Sequence, residues 1–269
     1  MTNRTYVAFD ALFEGYRYPA GESHIRRRDL PRLEDGTVIE AKTTGFEGLM
    51  QVVTANRILR RRREEVRWFL PYFPFARHDR RNDAFDGFEL ELALEIVREL
   101  DVVIADPHSD VAGQLCHIPQ SAAVACFRDA GLFEGDPWII VPDVGAAKKA
   151  MSWKGPKEIA IQAMKKRDPM TGALSGFRLL STDLQERPCV MVDDICDGGG
   201  TFLGLADELV EKGAGSLSLA ITHGLFTRGV DRLRQRFDQI FTFHFAGERP
   251  AEGVTSIPFE TLYAKGQWL

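Results

Sequence analysis

The segment Cys189-Val190-Met191-Val192-Asp193-Asp194-Ile195-Cys196-Asp197-Gly198-Gly199-Gly200-Thr201-Phe202 is the part of the chain best suited to chemistry. An apolar run ends in two adjacent carboxylates. An Asp, three glycines and a Thr follow before a helical pattern begins. Glycines let backbone N–H groups approach an anion closely, and a helix N-terminus adds partial positive charge. The pattern predicts a phosphate cradle. Asp193 and Asp194 would repel a phosphate; they suit ribose hydroxyls or a hydrated magnesium ion. The bland alternative is a Gly-rich β-to-α turn with an Asp N-cap. The full Asp-Asp-x-x-Asp-Gly-Gly-Gly-Thr string favours the functional reading.

Two further apolar runs end in polar turns, Ala105-Asp106-Pro107-His108 and Val141-Pro142-Asp143-Val144-Gly145. A basic run, Lys165-Lys166-Arg167-Asp168-Pro169, follows an expected strand and precedes Thr171-Gly172, which reads as a hairpin turn. Taken alone, that run is a solvated charge cluster, and His108 alone is a turn histidine. Arg60 to Arg63 ends a helix pattern, where cations favour the dipole. Arg26 to Arg28 reads as a solvated face or an allosteric phosphate site. His24, His117 and His244 read as structural histidines.

These turns need a scaffold. Trp68 to Leu70, Val102 to Ala105, Trp138 to Val141, Glu158 to Gln162, Cys189 to Val192, Ser216 to Ile221 and Gln239 to Phe243 read as strands. Phe46 to Arg63, Phe88 to Leu100, Ser121 to Phe133 and Thr201 to Lys212 carry helical periodicity. The alternation predicts an α/β fold with mainly parallel, doubly wound sheets, which bind ligands beyond the carboxyl ends of their strands. The acidic Gly-containing turn Glu134 to Asp136 marks the expected cut. It gives an N-terminal domain of residues 1–135 and a C-terminal domain of 136–269, with the tail open to return to the first.

The Asp193 to Thr201 string resembles the ribose-binding motif of type I phosphoribosyltransferases and of ribose-phosphate pyrophosphokinases. Other segments are similar to the pyrophosphokinases in particular. Leu70-Pro71-Tyr72-Phe73-Pro74-Phe75-Ala76-Arg77-His78-Asp79-Arg80-Arg81 resembles their ATP-binding segment. Tyr18-Pro19-Ala20-Gly21-Glu22 resembles their adenine-contacting turn. Ala105 to Ser109 resembles their Asp-x-His metal turn, Val141 to Gly145 their Pro-Asp-x-Gly turn, and Thr222-His223-Gly224 their late Thr-His turn. These matches are collinear from about residue 17 to residue 230.

The resemblance implies two phosphoribosyltransferase-like domains and transfer of the β,γ-diphosphate of ATP to the anomeric hydroxyl of ribose 5-phosphate, with AMP leaving. It implies Tyr18, Glu22, Arg77, His78 and Asp79 at ATP; Asp193, Asp194, Asp197, Gly198, Gly199, Gly200 and Thr201 at the ribose phosphate; and His108, Asp106 and Asp143 at Mg²⁺. It also implies Lys165 and Arg167, with Arg77, as the catalytic cations. A one-residue shift would choose Lys166 instead. A homo-oligomer is expected on the same ground.

The sequence departs from the family at Gly198, where a Thr is usual, at Ala20 in place of Asp, and at His78 in place of Gln. Gly198 would leave room for a substituent on the 5-phosphate. ADP-ribose, the acceptor of a pyrophosphokinase-like group in phage NAD salvage, therefore stands almost level with ribose 5-phosphate. A phosphoribosyltransferase and a non-catalytic regulatory homologue are the rival classes. The first has no need of the Arg77 and His108 segments. The second is disfavoured by retention of Asp193, Asp194, Lys165, Arg167 and His108.

Composition sets the outer limits. The 269 residues are 44 % hydrophobic and 27 % charged, the balance of a soluble globular protein. Net charge is −5, which argues against a general nucleic-acid binder. No apolar run approaches a bilayer span, and no basic-then-apolar leader opens the chain. A cytoplasmic protein without membrane or nucleic-acid partners is expected. Cys116, Cys126, Cys189 and Cys196 lack zinc spacing and read as buried free thiols.

Overall fold

The computed structural model describes residues 5–81, 84, 87–155, 160–167, 174–179 and 183–266, with backbone alone at 160, 164–167, 174 and 175. The chain divides into two units. Unit 1 is Met1–Pro119 with Phe245–Glu248, and unit 2 is Gln120–His244 with Arg249–Leu269.

Unit 1 runs β1 (Tyr6–Ala8), α1 (Phe9–Leu12), β2 (Phe13–Arg17), β3 (Ser23–Arg27), β4 (Thr37–Glu40), α2 (Phe46–Arg61), β5 (Val66–Leu70), α3 (Glu89–Val97), β6 (Val102–Ala105) and β7 (Cys116–Ile118). Its five-stranded sheet has the order β1-β4-β5-β6-β7, and every pair is parallel. A parallel sheet is covered on both faces. All four residues of β4 and of β6 are accordingly buried. Helix α2 buries Leu49, Val52, Ala55 and Leu59, one stripe at helical spacing. The neighbouring Met50 stays about half exposed, at 51 %. Strands β2 and β3 form a separate antiparallel hairpin.

Unit 2 runs α4 (Gln120–Asp129), β8 (Trp138–Val141), α5 (Val144–Ala150), β9 (Ala160–Arg167), β10 (Leu174–Leu179), β11 (Cys189–Cys196), α6 (Gly200–Glu211), β12 (Leu217–Gly224), α7 (Asp231–Arg234), β13 (Gln239–His244), β14 (Thr255–Pro258) and α8 (Phe259–Lys265). Its seven-stranded sheet has the order β10-β9-β8-β11-β12-β13-β14. Only the β9–β10 pair is antiparallel.

This division differs from the cut expected at residues 134–136, because α4 belongs to the second core. Phe127 of α4 is 1 % exposed and packs against the Phe243 ring at 5.0 Å and the Phe241 ring at 6.3 Å, both on β13. Of the tail, Phe245–Glu248 groups with unit 1. There Lys42 Nζ donates to Glu248 Oε1 at 2.6 Å, and the Ala246 amide donates to Glu40 Oε1 at 2.6 Å. Strand β14 and helix α8 instead extend unit 2.

All four cysteines are free. Burial pushes the Cys126 and Cys189 thiols up to about 11 and the Cys196 thiol up to about 12. Cys116 differs from the buried reading and is exposed. No helix among the described residues is long and apolar enough to cross a membrane.

Candidate functional site

The acidic pair lies inside β11, which extends to Cys196, and not in the loop beyond it. The cause is uneven pairing. Strand β12 accompanies β11 through the Cys196–Gly224 pair, whereas β8 pairs only with Cys189 to Met191. Past Met191 the recorded pairing of β11 is with β12, and α5 reaches it through a side chain. Asp143 caps α5 by accepting from the Ala146 amide at 3.0 Å. From the last turn of that helix Lys149 Nζ donates to Asp194 Oδ2 at 2.7 Å. Asp194 is 4 % exposed, so this buried carboxylate faces a cation. Successive strand residues take opposite faces. Asp193 therefore takes the face of Met191, which packs with Phe202 and Leu205 of α6. Its Oδ1 accepts from the Asp194 amide at 3.0 Å. The two carboxylates are divided: one is held by Lys149 of α5, and the other is half-buried and accepts from the chain's own amide.

That loop is braced by the segment after β12. The Leu225 and Phe226 amides donate to the Cys196 carbonyl at 2.9 and 3.1 Å. The Thr227 hydroxyl donates to Asp197 Oδ1 at 2.6 Å. The N-cap of α6 is Gly199, at φ +77°, where L side chains are strained. No side chain caps this helix, so the Asp N-cap alternative does not describe it. Its first amides lack intrahelical partners and carry the partial positive charge suited to an anion. A Cβ on Gly200 would meet nothing within 4 Å, so the approach is open. Beside Gly198 the outcome differs from the expected room: a Cβ there would stand 3.3 Å from Arg228 Cδ and Nε. The arginine stem borders that space, and a Cβ there would have to push it by a few tenths of an ångström.

Lys165 and Arg167 are the sixth and eighth residues of β9. The expected turn at Thr171-Gly172 lies outside the described residues. Strand β10 is fitted to α6 through a close approach. A Cβ on Gly204 would stand 2.2 Å from Phe177 Cε2. Alanine for helical glycine normally stabilises by about 0.5–1 kcal/mol. At Gly204 the sign is expected to reverse, with Gly204→Ala costing about 1–3 kcal/mol by overpacking. Thermal unfolding checks this, and a raised Tm would contradict the fit.

In unit 1, Tyr72, Phe73 and Ala76 are buried and anchor the segment after β5, which leaves Arg77 and His78 exposed and Asp79 half-exposed. Phe75 takes φ +62° and stacks on Phe46 at 4.2 Å. A non-glycine residue in that region marks a constrained loop. His78 Nδ1 lies 3.0 Å from Glu89 Oε2. The β2–β3 turn places Tyr18 and Glu22 together: the Tyr18 amide donates to the Glu22 carbonyl at 2.8 Å, and Gly21 takes φ +95°. Tyr18 is exposed and meets the Tyr16 ring at 4.7 Å. The Tyr16 hydroxyl is raised, chiefly by its hydrogen bond with Tyr18.

Asp106 is 2 % exposed at φ +38°, and its amide donates to the Ile118 carbonyl at 2.7 Å. His108 on the same turn is exposed. Among the described residues no three His, Cys, Asp or Glu side chains form a group that could hold a metal ion. Thr222 and His223 are buried inside β12, not in a turn, and the His223 ring stacks on Phe259 at 6.0 Å.

Sequence reasoning missed Lys149, Thr227 and Arg228. Lys149 had a signal, the last turn of a helix opened by Asp143. Thr227 and Arg228 had none, since only the β11–β12 pairing brings them to the loop.

No protein-family model matches the chain. Among curated proteins it is 27 % identical over 234 residues to the ribose-phosphate pyrophosphokinase of Maricaulis maris, covering 82 % of this chain and 75 % of that one. It is 29 % identical over 223 residues to the ribose-phosphate pyrophosphokinase of Granulibacter bethesdensis, covering 79 % and 72 %. Its fold matches the crystal structure of phosphoribosylpyrophosphate synthetase from Mycobacterium smegmatis with a TM-score of 0.76, at 20 % identity and over 98 % and 97 % of the two chains. The chain is a homologue of the ribose-phosphate pyrophosphokinases and has the fold of a phosphoribosylpyrophosphate synthetase.

Proposed function

We propose that the chain is an ATP-dependent diphosphotransferase that moves the β,γ-diphosphate of ATP to the 1-hydroxyl of ribose 5-phosphate, releasing AMP. The observation that carries this is the built cradle of unit 2: a fixed acidic strand end, an uncapped helix N-terminus and an open glycine loop, in a chain whose relatives of that name span most of its length. Asp193 and Asp194 hold ribose hydroxyls. The backbone amides of the loop from Asp197 to Thr201 hold the 5-phosphate. Tyr18, Glu22, Arg77, His78 and Asp79 serve ATP.

Mg²⁺ is part of the same reading. The ion keeps several waters and is held by one or two carboxylates together with substrate phosphates. His108 and Asp106 of unit 1 and Asp143 of unit 2 are the candidate ligands of this reading, each taken within its own unit, and a bound ion would supply positive charge to the substrate phosphates. Lys165, Arg167 and Arg77 stabilise the charge that builds around the β-phosphorus. A cytoplasmic homo-oligomer without nucleic-acid or membrane partners belongs to this reading.

The test is a product analysis by mass with ATP, Mg²⁺ and ribose 5-phosphate. AMP and phosphoribosyl pyrophosphate are expected in equal amounts, with no base required. ADP as the main product would show an ordinary kinase. A need for a nucleobase would show a phosphoribosyltransferase. Bound nucleotide without AMP would show a regulatory homologue.

A further inference from the structure

The Arg228 side chain lies in close contact with the space beside Gly198. The residue follows β12 in an exposed turn, and that turn is tied to the phosphate loop. The Thr227 amide and hydroxyl both donate to Asp197, at 3.1 and 2.6 Å, and the Gly229 amide donates to the Phe226 carbonyl at 2.8 Å. The Cα of Arg228 is thus fixed beside the loop. Its Cδ and Nε come within 3.3 Å of the point where a Cβ on Gly198 would stand, so a side chain at 198 and this arginine position compete for the same space.

Three other arginines of unit 2 have acidic partners. Arg187 pairs with Asp136, Arg236 with Asp207 at 3.0 Å, and Arg234 with Asp231 at 4.0 Å. Among the described residues the Arg228 guanidinium has neither an ion pair nor a hydrogen bond. It lies instead against the loop that opens the uncapped helix α6. A guanidinium presents a planar fork of donors that matches two phosphate oxygens, which a single hydroxyl cannot do.

We propose that Arg228 is a phosphate-binding residue of the acceptor site: its guanidinium holds the acceptor's 5-phosphate, and position 198 is glycine so that the arginine stem can cross the loop. The proposal rests on the diphosphotransferase reading and deepens it. Arg228 sets acceptor specificity by charge, and the ribose hydroxyls remain with the acidic pair. The gripped group is either the terminal phosphate of ribose 5-phosphate or the sugar-proximal phosphate of ADP-ribose, two sources of one chemistry.

The full-length enzyme and its Arg228→Ala, Arg228→Lys and Gly198→Thr variants, assayed with both acceptors, test this. Arg228→Ala should raise the acceptor KM on the order of ten- to a hundredfold, as loss of a charge-assisted contact does, while the KM for ATP stays within about twofold. Arg228→Lys should recover part of the loss. Gly198→Thr should displace the arginine and raise the same KM. The double variant with Arg228→Ala should be no worse than either single one, because both remove one contact. The acceptor showing the larger rise identifies the phosphate source. An unchanged acceptor KM with both substrates, or strictly additive losses, would overturn the proposal. If the wild type releases no AMP, the reaction is wrong; calorimetric titration of ribose 5-phosphate into the same proteins still reads Arg228, and equal affinities there would overturn its role.

Discussion

Replacing Lys165 or Arg167 with alanine is expected to lower kcat on the order of 10²-fold or more while the KM for ribose 5-phosphate stays within about twofold. The attacked β-phosphorus sits between two groups gaining or holding negative charge. Donors placed there act mainly in the transition state. Loss of such a donor therefore appears in kcat, whereas loss of a ground-state contact appears in KM. The spacing sharpens the expectation. Lys165 and Arg167 are two residues apart in β9, with Lys166 between them. Lys165→Ala and Arg167→Ala should resemble one another, and Lys166→Ala should differ from both. Steady-state kinetics with single-turnover AMP release separates these outcomes. A full effect at Lys166 with none at Lys165 would show that the register is shifted by one residue.

The parallel strands were legible where burial made them uniformly apolar. Val102 to Ala105 and Trp138 to Val141 were read with the bounds that the structure shows. Strand β4 was not, because it ends in Glu40. That carboxylate is 3 % exposed and is satisfied by the Tyr6 hydroxyl and the Ala246 amide, partners 34 and 206 residues away. No local pattern announces such a residue. The β2–β3 hairpin was hidden for a different reason. Most of its side chains are exposed, so alternation between a wet and a dry face is weak. The glycine loop was legible as a string because its chemistry is carried by neighbours in sequence. Its supports were not. Lys149 stands 45 residues from Asp194, and Arg228 stands 30 from Gly198; β-sheet order alone brings each pair together. The boundary was misplaced because a turn rich in Gly and Asp looks like a linker, whereas Phe127 had already joined the second core.

Lys149→Met is expected to destabilise the protein by about 3 kcal/mol, the low end for breaking a buried pair, because a quarter of the lysine side chain remains in water. Removing the ammonium leaves the Asp194 carboxylate, at 6 % side-chain exposure, without its cation. For a unit of this size the change corresponds to a fall in Tm of roughly 10 °C. The double variant Lys149→Met with Asp194→Asn removes both charges and should regain most of that loss, because a neutral pair carries little desolvation cost. Its function should not return. An amide at 194 no longer accepts as a carboxylate does, so the KM for ribose 5-phosphate should stay about tenfold or more above that of the wild type. Thermal unfolding of the two variants, set beside acceptor KM in the double variant, separates holding the strand end from holding the sugar. A wild-type Tm for Lys149→Met would show that the ion pair does not support Asp194. A wild-type acceptor KM in the double variant would leave the ribose hydroxyls to Asp193 alone.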